Sequence, residues 1–264
     1  MKMKQIKKTL HLASCTLLLL LLLTSCNVRL ERAGSKNSSP IASAVREVAG
    51  FERIQLMGAT TVYYTQSDSF SVRVEAPEDL IEYVETVVND STLTIKMSDD
   101  AQNLVQQIVF FQDNGISVFV SSPDLVEVSL MGSGEFVSNE KIDTDNLLLS
   151  LRGSGNINLV DVICDHLVTS AVGSGDINIS NAEAQTSQIE LVGSGDVGIN
   201  HKNVGLTDIL LKGSGDVKCT FNSCGEVKGD LRGSGDITLS GDVHAMNKTL
   251  LGSGDFHTEA LNVQ

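Results

Sequence analysis

An acid or an amide follows each of seven Gly-Ser-Gly triplets: Glu135, Asn156, Asp176, Asp196, Asp216, Asp236 and Asp255. Stacked oxygens of this kind could hold a hard cation, since Ca²⁺ takes about six to eight oxygen ligands and the triplet hydroxyls from Ser133 to Ser253 could supply some. Paired carboxylates could also serve glycoside or uronate chemistry. Each reading meets an objection in the residues. Asn156 interrupts the charge, and the denser nine-residue pattern of calcium-binding β-rolls is missing. A hydrolase needs two carboxylates in unlike environments, whereas a repeated column gives every member a similar one. The expectation is therefore a ladder, Asp176 to Asp255, whose side chains accept hydrogen bonds from backbone N–H groups at the corners, in the manner of Asx turns. Arg152, Lys212 and Arg232, just before the triplets, would neutralise it. Some offset is needed, because carboxylates about 4.8 Å apart repel by roughly 3 to 4 kcal/mol at an effective dielectric of 20. A cation column is the competing reading of the same residues.

Other reactive side chains lack a pattern. His166, His201, His244 and His257 fall at unrelated repeat positions without metal-ligand spacing, and are expected to be solvated loop residues. Ser138-Asn139-Glu140-Lys141 matches Ser-x-x-Lys without companion motifs. Cys164 and Cys224 share one repeat position, three coils or about 14 Å apart, beyond disulfide reach. Cys219 falls in an inward column, and Cys219–Cys224 pairing would require two walls to meet. Buried free thiols are the expectation. These observations predict no catalytic residue, no metal and no cofactor.

The elements that position these residues follow from the spacing of the triplets, which begin at Gly132, Gly153, Gly173, Gly193, Gly213, Gly233 and Gly252, at intervals of 21, 20, 20, 20, 20 and 19 residues. A fixed period near 20 is a solenoid signature. An apolar residue stands two places before each triplet (Leu130, Leu151, Ala171, Leu191, Leu211, Leu231, Leu250) and another two places after it (Phe136, Ile157, Ile177, Val197, Val217, Ile237, Phe256). The flanking alternation, as in Ile189-Glu190-Leu191-Val192, has the period of two that puts successive side chains on opposite faces of a strand. One repeat is one coil of an all-β β-helix, and seven coils stack to roughly 34 Å. Glycine suits the sharp corners because it enters positive φ without a Cβ penalty. Burial accumulates over stacked coils, since one coil cannot close a core alone.

Four regions follow. Residues 1–25 carry Lys2, Lys4, Lys7 and Lys8, then an apolar run from Leu17 to Leu23, which is a secretion signal too short for a confident membrane span. The ending Leu23-Thr24-Ser25-Cys26 is similar to the lipobox of bacterial lipoproteins, which makes Cys26 the expected lipidation site and the lipid the expected membrane partner. Asn27 after the cysteine favours the outer membrane by the same likeness. Residues 26–50 have the small, polar composition of a flexible tether. Residues 51–125 hold all three tyrosines and most phenylalanines and read as a β-rich cap with first coils, including one short helix begun by Pro77-Glu78-Asp79. Ile116-Ser117-Val118-Phe119-Val120 would lead from it into the first full coil. Residues 126–264 are the repeat solenoid. The cap is needed because a solenoid must hide its first core layer and its edge.

Loss of the signal would leave 15 basic against 33 acidic residues, a net charge of −18. That excludes a basic footprint for nucleic acid or anionic lipid. Outward residues of the repeats are mixed and carry no aromatic stripe on which sugars stack.

Phe51-Glu52-Arg53-Ile54, Val72-Arg73-Val74-Glu75-Ala76, Leu93-Thr94-Ile95, Ile116 to Pro123 and the repeated Gly-Ser-Gly-Asp-Ile, together with Gly155-Asn156-Ile157-Asn158, resemble the putative auto-transporter adhesin, head GIN domain family over residues 51–264. The resemblance implies a right-handed parallel β-helix on a secreted or lipid-anchored protein of Gram-negative bacteria, and brings no catalytic residues. The combined expectation is a lipid-anchored cell-envelope protein with an adhesin-like, non-catalytic binding role toward a protein or glycan, facing the periplasm or the outside. The alternatives are a structural envelope scaffold and, more remotely, a polysaccharide-processing enzyme.

Overall fold

Alternating apolar and polar residues on either side of each corner decide the architecture, because each strand must turn one face inward. The computed structural model describes residues 39–101 and 115–264. The signal segment, Cys26 and most of the expected tether lie outside the described residues. The strands are β1 (Ile41–Arg46), β2 (Arg53–Gly58), β3 (Thr61–Gln66), β4 (Ser71–Pro77), β5 (Val84–Asn89), β6 (Thr92–Met97), β7 (Ser117–Ser122), β8 (Glu127–Gly132) and β9 (Glu135–Asp143). They continue with β10 (Asn146–Gly153), β11 (Asn156–Gly173), β12 (Asp176–Gly193), β13 (Val197–Lys202), β14 (Leu206–Gly213), β15 (Val217–Gly233), β16 (Ile237–Gly252) and β17 (Phe256–Val263).

Pairing resolves these strands into two long walls. One contains the strands that follow the corners, in the order β1-β4-β7-β3-β9-β11-β12-β13-β15-β16-β17. The other contains the strands that precede them, in the order β5-β6-β2-β8-β10-β11-β12-β14-β15-β16. The long strands β11, β12, β15 and β16 run through both walls. From β8 onward every pairing is parallel, with Gly153 on Gly173 and Ile157 on Ile177 and only local register shifts such as that between Leu159 and Asp161, so the chain is a parallel β-solenoid with one repeat per coil.

The two apolar columns line the interior up to the last coil, where Leu250 is 46 % exposed. Leu130, Leu151, Ala171, Leu191, Leu211 and Leu231 are each at most 1 % exposed, as are Phe136 to Ile237 in the second column. At about 25 cal/mol per Å² of apolar area removed from water, such columns are the main stabilising term.

The cap differs from expectation in three ways. The repeat starts one coil earlier: Leu56 and Val62 are buried, Gly58 has φ +108°, and Leu56-Met57-Gly58 pairs with Leu130-Met131-Gly132. Next, Ile116 to Val120 runs on into β8 as expected but does not stack against the Gly132 coil. Strands β6 and β7 instead lie outside β2 and β3, on the far side from β8 and β9, and antiparallel strands β4 and β5 cover them. The first coil is thus sandwiched between later segments, which hides the layer that a solenoid start would expose. Finally, the expected helix is a single 3₁₀ turn, Ile81–Tyr83, because Ser71–Pro77 and Val84–Asn89 on either side are drawn into strands. The tether is also shorter than 26–50, since Ile41–Arg46 pairs antiparallel with β4.

Candidate binding face

Corner geometry sets the position of every outward residue. Gly132, Gly153, Gly173, Gly193, Gly213, Gly233 and Gly252 have φ between +129° and +154°. Close stacking constrains them further: a Cβ on Gly193 would stand 2.0 Å from the carbonyl oxygen of Gly173. The second glycine of each triplet has no such φ, yet a Cβ on Gly195 would also lie 2.0 Å from the Gly175 oxygen. Positive φ therefore explains only the first glycine, and contact between coils explains the second. Each corner also aims two N–H groups at one carbonyl, as Ser194 and Gly195 do at Gly173 O (2.8 and 3.3 Å).

Immediately after the corner comes the acid ladder. Asp176 Oδ1 accepts from the backbone N–H of Asp196 at 2.8 Å, Asp196 from Asp216 at 3.0 Å, Asp216 from Asp236 at 2.9 Å and Asp236 from Asp255 at 2.9 Å. In return Ile177 N–H donates to Asp196 O, and Val197, Val217 and Ile237 repeat the pattern. The side chains do accept from backbone N–H groups, but in the next coil rather than in a local Asx turn. The expected counter-charges also face elsewhere: Lys212 pairs with Glu190 at 3.2 Å and Arg232 with Asp230, while Arg152 is exposed. The backbone N–H of Asp255 and, second, His257 at 3.3 Å hold the Asp236 carboxyl below its usual range. Glu135 accepts from Asn158 Nδ2 at 2.9 Å. Among the described residues no three His, Cys, Asp or Glu side chains converge as a metal-binding group.

Reactive side chains face the core. Cys164, Cys219 and Cys224 are free and buried, and desolvation raises all three thiols, to about 11 for Cys164 and about 12 for Cys219. A nucleophilic thiol needs the opposite shift. His201 corrects the loop expectation: it is 2 % exposed on β13, bonded through Nε2 to Ser187 Oγ at 2.9 Å and stacked on Phe221. Desolvation pushes it down to about 4. His166, His244 and His257 also lie on strands, not loops.

Outside, the wall that precedes the corners carries an open groove of about 600 Å³. Two outward columns flank it: Val168, Gln188, Asp208, Lys228 and Asn247 on one side, and Ser170, Glu190, Leu210, Asp230 and Thr249 on the other. Those residues come from five coils, so the groove runs along the solenoid axis for roughly 19 Å. Asp208 has no ion-pair partner among the described residues, and Lys248 lies 5.7 Å from the Phe256 ring. Neither column repeats a residue type, so periodicity offered no signal for this groove.

The opposite wall holds another feature missed in the sequence. Tyr63 and Phe119 stack with ring centroids 5.2 Å apart, and the Arg73 guanidinium sits 4.1 Å from the Phe119 ring. The three belong to β3, β7 and β4, which are adjacent in the sheet but far apart in the chain. Tyr63 and Arg73 thus flank Phe119 from the strands on either side of it.

Comparison with known proteins settles the family. The model of the family described as "putative auto-transporter adhesin, head GIN domain" matches residues 50–242. The chain belongs to that family. Solved structures similar to this GIN-domain chain include a putative adhesin from Bacteroides fragilis, at 21 % identity and TM-score 0.73, covering 83 % of this chain and 97 % of that one. A putative adhesin from Parabacteroides distasonis has 21 % identity and TM-score 0.68 over the same shares. A putative lipid binding protein from Parabacteroides distasonis has 20 % identity and TM-score 0.59, covering 84 % and 97 %. At such identities the likeness is one of fold. No curated protein matches the chain in sequence. No helix among the described residues is long and apolar enough to cross a membrane.

Proposed function

We propose that this GIN-domain chain is a cell-envelope protein, anchored by lipid on Cys26 in the outer membrane, that holds an extended partner without chemically changing it. The observation that carries the reading is the groove. It crosses five coils, is open at the surface, and mixes carboxylates (Glu190, Asp208, Asp230) with the amine of Lys228 and apolar contacts from Val168 and Leu210. Such a surface offers several spaced contacts to one chain rather than an enclosed pocket for a small molecule. A non-catalytic role fits the chemistry, because the most strongly shifted thiols and the shifted histidine are core groups held in their neutral forms by desolvation.

The test has separate readouts for anchoring and binding. Mass spectrometry of the protein from membranes should find lipid on Cys26, absent from Cys26→Ser; an unlipidated wild type ends the anchoring claim. The Cys26→Ser protein should bind members of an immobilised peptide array or glycan array. Asp208→Lys combined with Lys228→Glu should weaken those contacts at least tenfold, with the melting temperature retained. Binding unaffected by this double reversal removes the groove from the proposal. Protease digestion of intact cells then separates an adhesin facing outward, which is cut, from a periplasmic scaffold, which is spared.

A further inference from the structure

Among the described residues each wall ends in strands that have a neighbour on one side only, and such edges invite pairing unless something blocks it. Three of the four wall ends carry charge: β5 has Glu85, the last segment of β16 has Lys248, and β17 has His257 and Glu259. Strand β1 is the exception. Among the described residues it pairs only with β4, and its outward side chains are Ile41, Ser43 and Val45, with Ile41 50 % and Val45 65 % exposed. Its one charge, Arg46, belongs to the inward set and donates to the carbonyl oxygen of Ile81 at 2.7 Å.

The free edge is also self-complementary. Glu78 N–H donates to Pro40 O, which turns the backbone groups of Pro40, Ala42 and Ala44 toward β4. Alternation then points the N–H and C=O groups of Ile41, Ser43 and Val45 away from it. The segment Ile41-Ala42-Ser43-Ala44-Val45 reads nearly the same in both directions. An antiparallel copy centred on Ser43 places Ile41 opposite Val45, Ala42 opposite Ala44, and Ser43 opposite itself. That register sets odd residues against odd residues, the ones whose backbone groups are directed outward, and forms about six hydrogen bonds. Proline at position 40 does not obstruct it, because its backbone faces β4.

We propose that β1 is a dimerisation edge, where a second copy of this chain pairs antiparallel about a two-fold axis through Ser43. The interface is isologous, and it continues the sheet from one copy into the other. On the outer face, Val45 abuts Ile41 of the second copy and extends the row Arg73-Phe119-Tyr63 across the junction. The proposal does not depend on the groove or on lipidation.

The test uses the full chain carrying Cys26→Ser. Light scattering should find a dimer at concentrations up to about 0.1 mM. Ser43→Cys should give a covalent dimer under mild oxidation, because directly opposed residues lie within disulfide reach. Ser71→Cys, one strand further in, should not. Val45→Lys should weaken dimerisation at least tenfold, with the melting temperature unchanged at concentrations low enough for both proteins to be monomeric, since this side chain is largely exposed in the single chain. A wild type that is monomeric throughout overturns the proposal, as does a dimer that Val45→Lys leaves intact. So does crosslinking through Thr258→Cys on β17 instead of through position 43.

Discussion

His201 shows how one side chain can tie this fold to pH. It sits in the core with Nδ1 lacking a protein partner among the described residues, and the hydroxyls of Thr169 and Thr207 are buried without one as well. The unfolded chain protonates this imidazole near 6.5, while the folded chain resists until about 4. Between those values the unfolded state binds more protons, so stability falls as pH falls. The full contribution is present above 6.5 and is lost progressively down to 4, for a total of roughly 3 kcal/mol. Denaturant unfolding at pH 7 and pH 4.5 should show this loss in the wild type. It should be much smaller in His201→Phe, which keeps the stack on Phe221. Equal losses in both proteins would assign the pH dependence to other groups. Asp236, with a lowered carboxyl, acts further down, losing its contribution as pH falls through its own folded value.

At the level of the coil, the corner is a stacking device as much as a turn. Consecutive Asp corners are closed by a two-bond ring, side chain to N–H in one direction and N–H to carbonyl in the other. This locks the register that keeps the apolar columns aligned. The glycines permit the approach on which those bonds depend. Gly195→Ala is therefore expected to destabilise by at least about 2 kcal/mol, lowering the melting temperature by roughly 4 to 8 °C, even though its φ is one that alanine can adopt. Gly198→Ala is the control, because a Cβ there comes under 3 Å only to Asn178 Oδ1, the end of a flexible side chain. Calorimetry that ranks the two variants equally would refute contact between coils as the reason for the second glycine.

The molecule as a whole must stack acids, with 33 acidic against 19 basic residues in the full chain. It does so by setting amides on acids: Asn181 donates to Asp161, Gln185 to Asp165, Asn203 to Glu183, Asn247 to Glu226 and Asn262 to Asp242. At those rungs a neutral donor replaces what would be a second negative charge. The described ion pairs are largely solvent-accessible and contribute little. Net repulsion therefore remains. Raising NaCl from about 20 mM to 0.3 M should raise the melting temperature by a few degrees through screening. A fall would show that the surface ion pairs outweigh the repulsion.

The solenoid was legible in the sequence because a coil of constant length repeats its constraints: Leu191 and Val197 flank Gly193 as Leu211 and Val217 flank Gly213, and translation by one coil maps each set on the next. The inward thiols were legible for the same reason. Where the chain departs from translation, local pattern lost its reach. Leu56-Met57-Gly58 is a corner separated from its successor by 74 residues, and the turn at Ile81–Tyr83 is set by the strands on either side. His201 was misplaced because only the fold shows which way an isolated polar residue points. The groove and the Tyr63-Phe119-Arg73 stack are unions of residues that are neighbours only after coils are laid side by side. The repeat determined the wall, and the tertiary structure decided what the wall presents, since outward side chains escape the packing constraint that makes inward ones periodic.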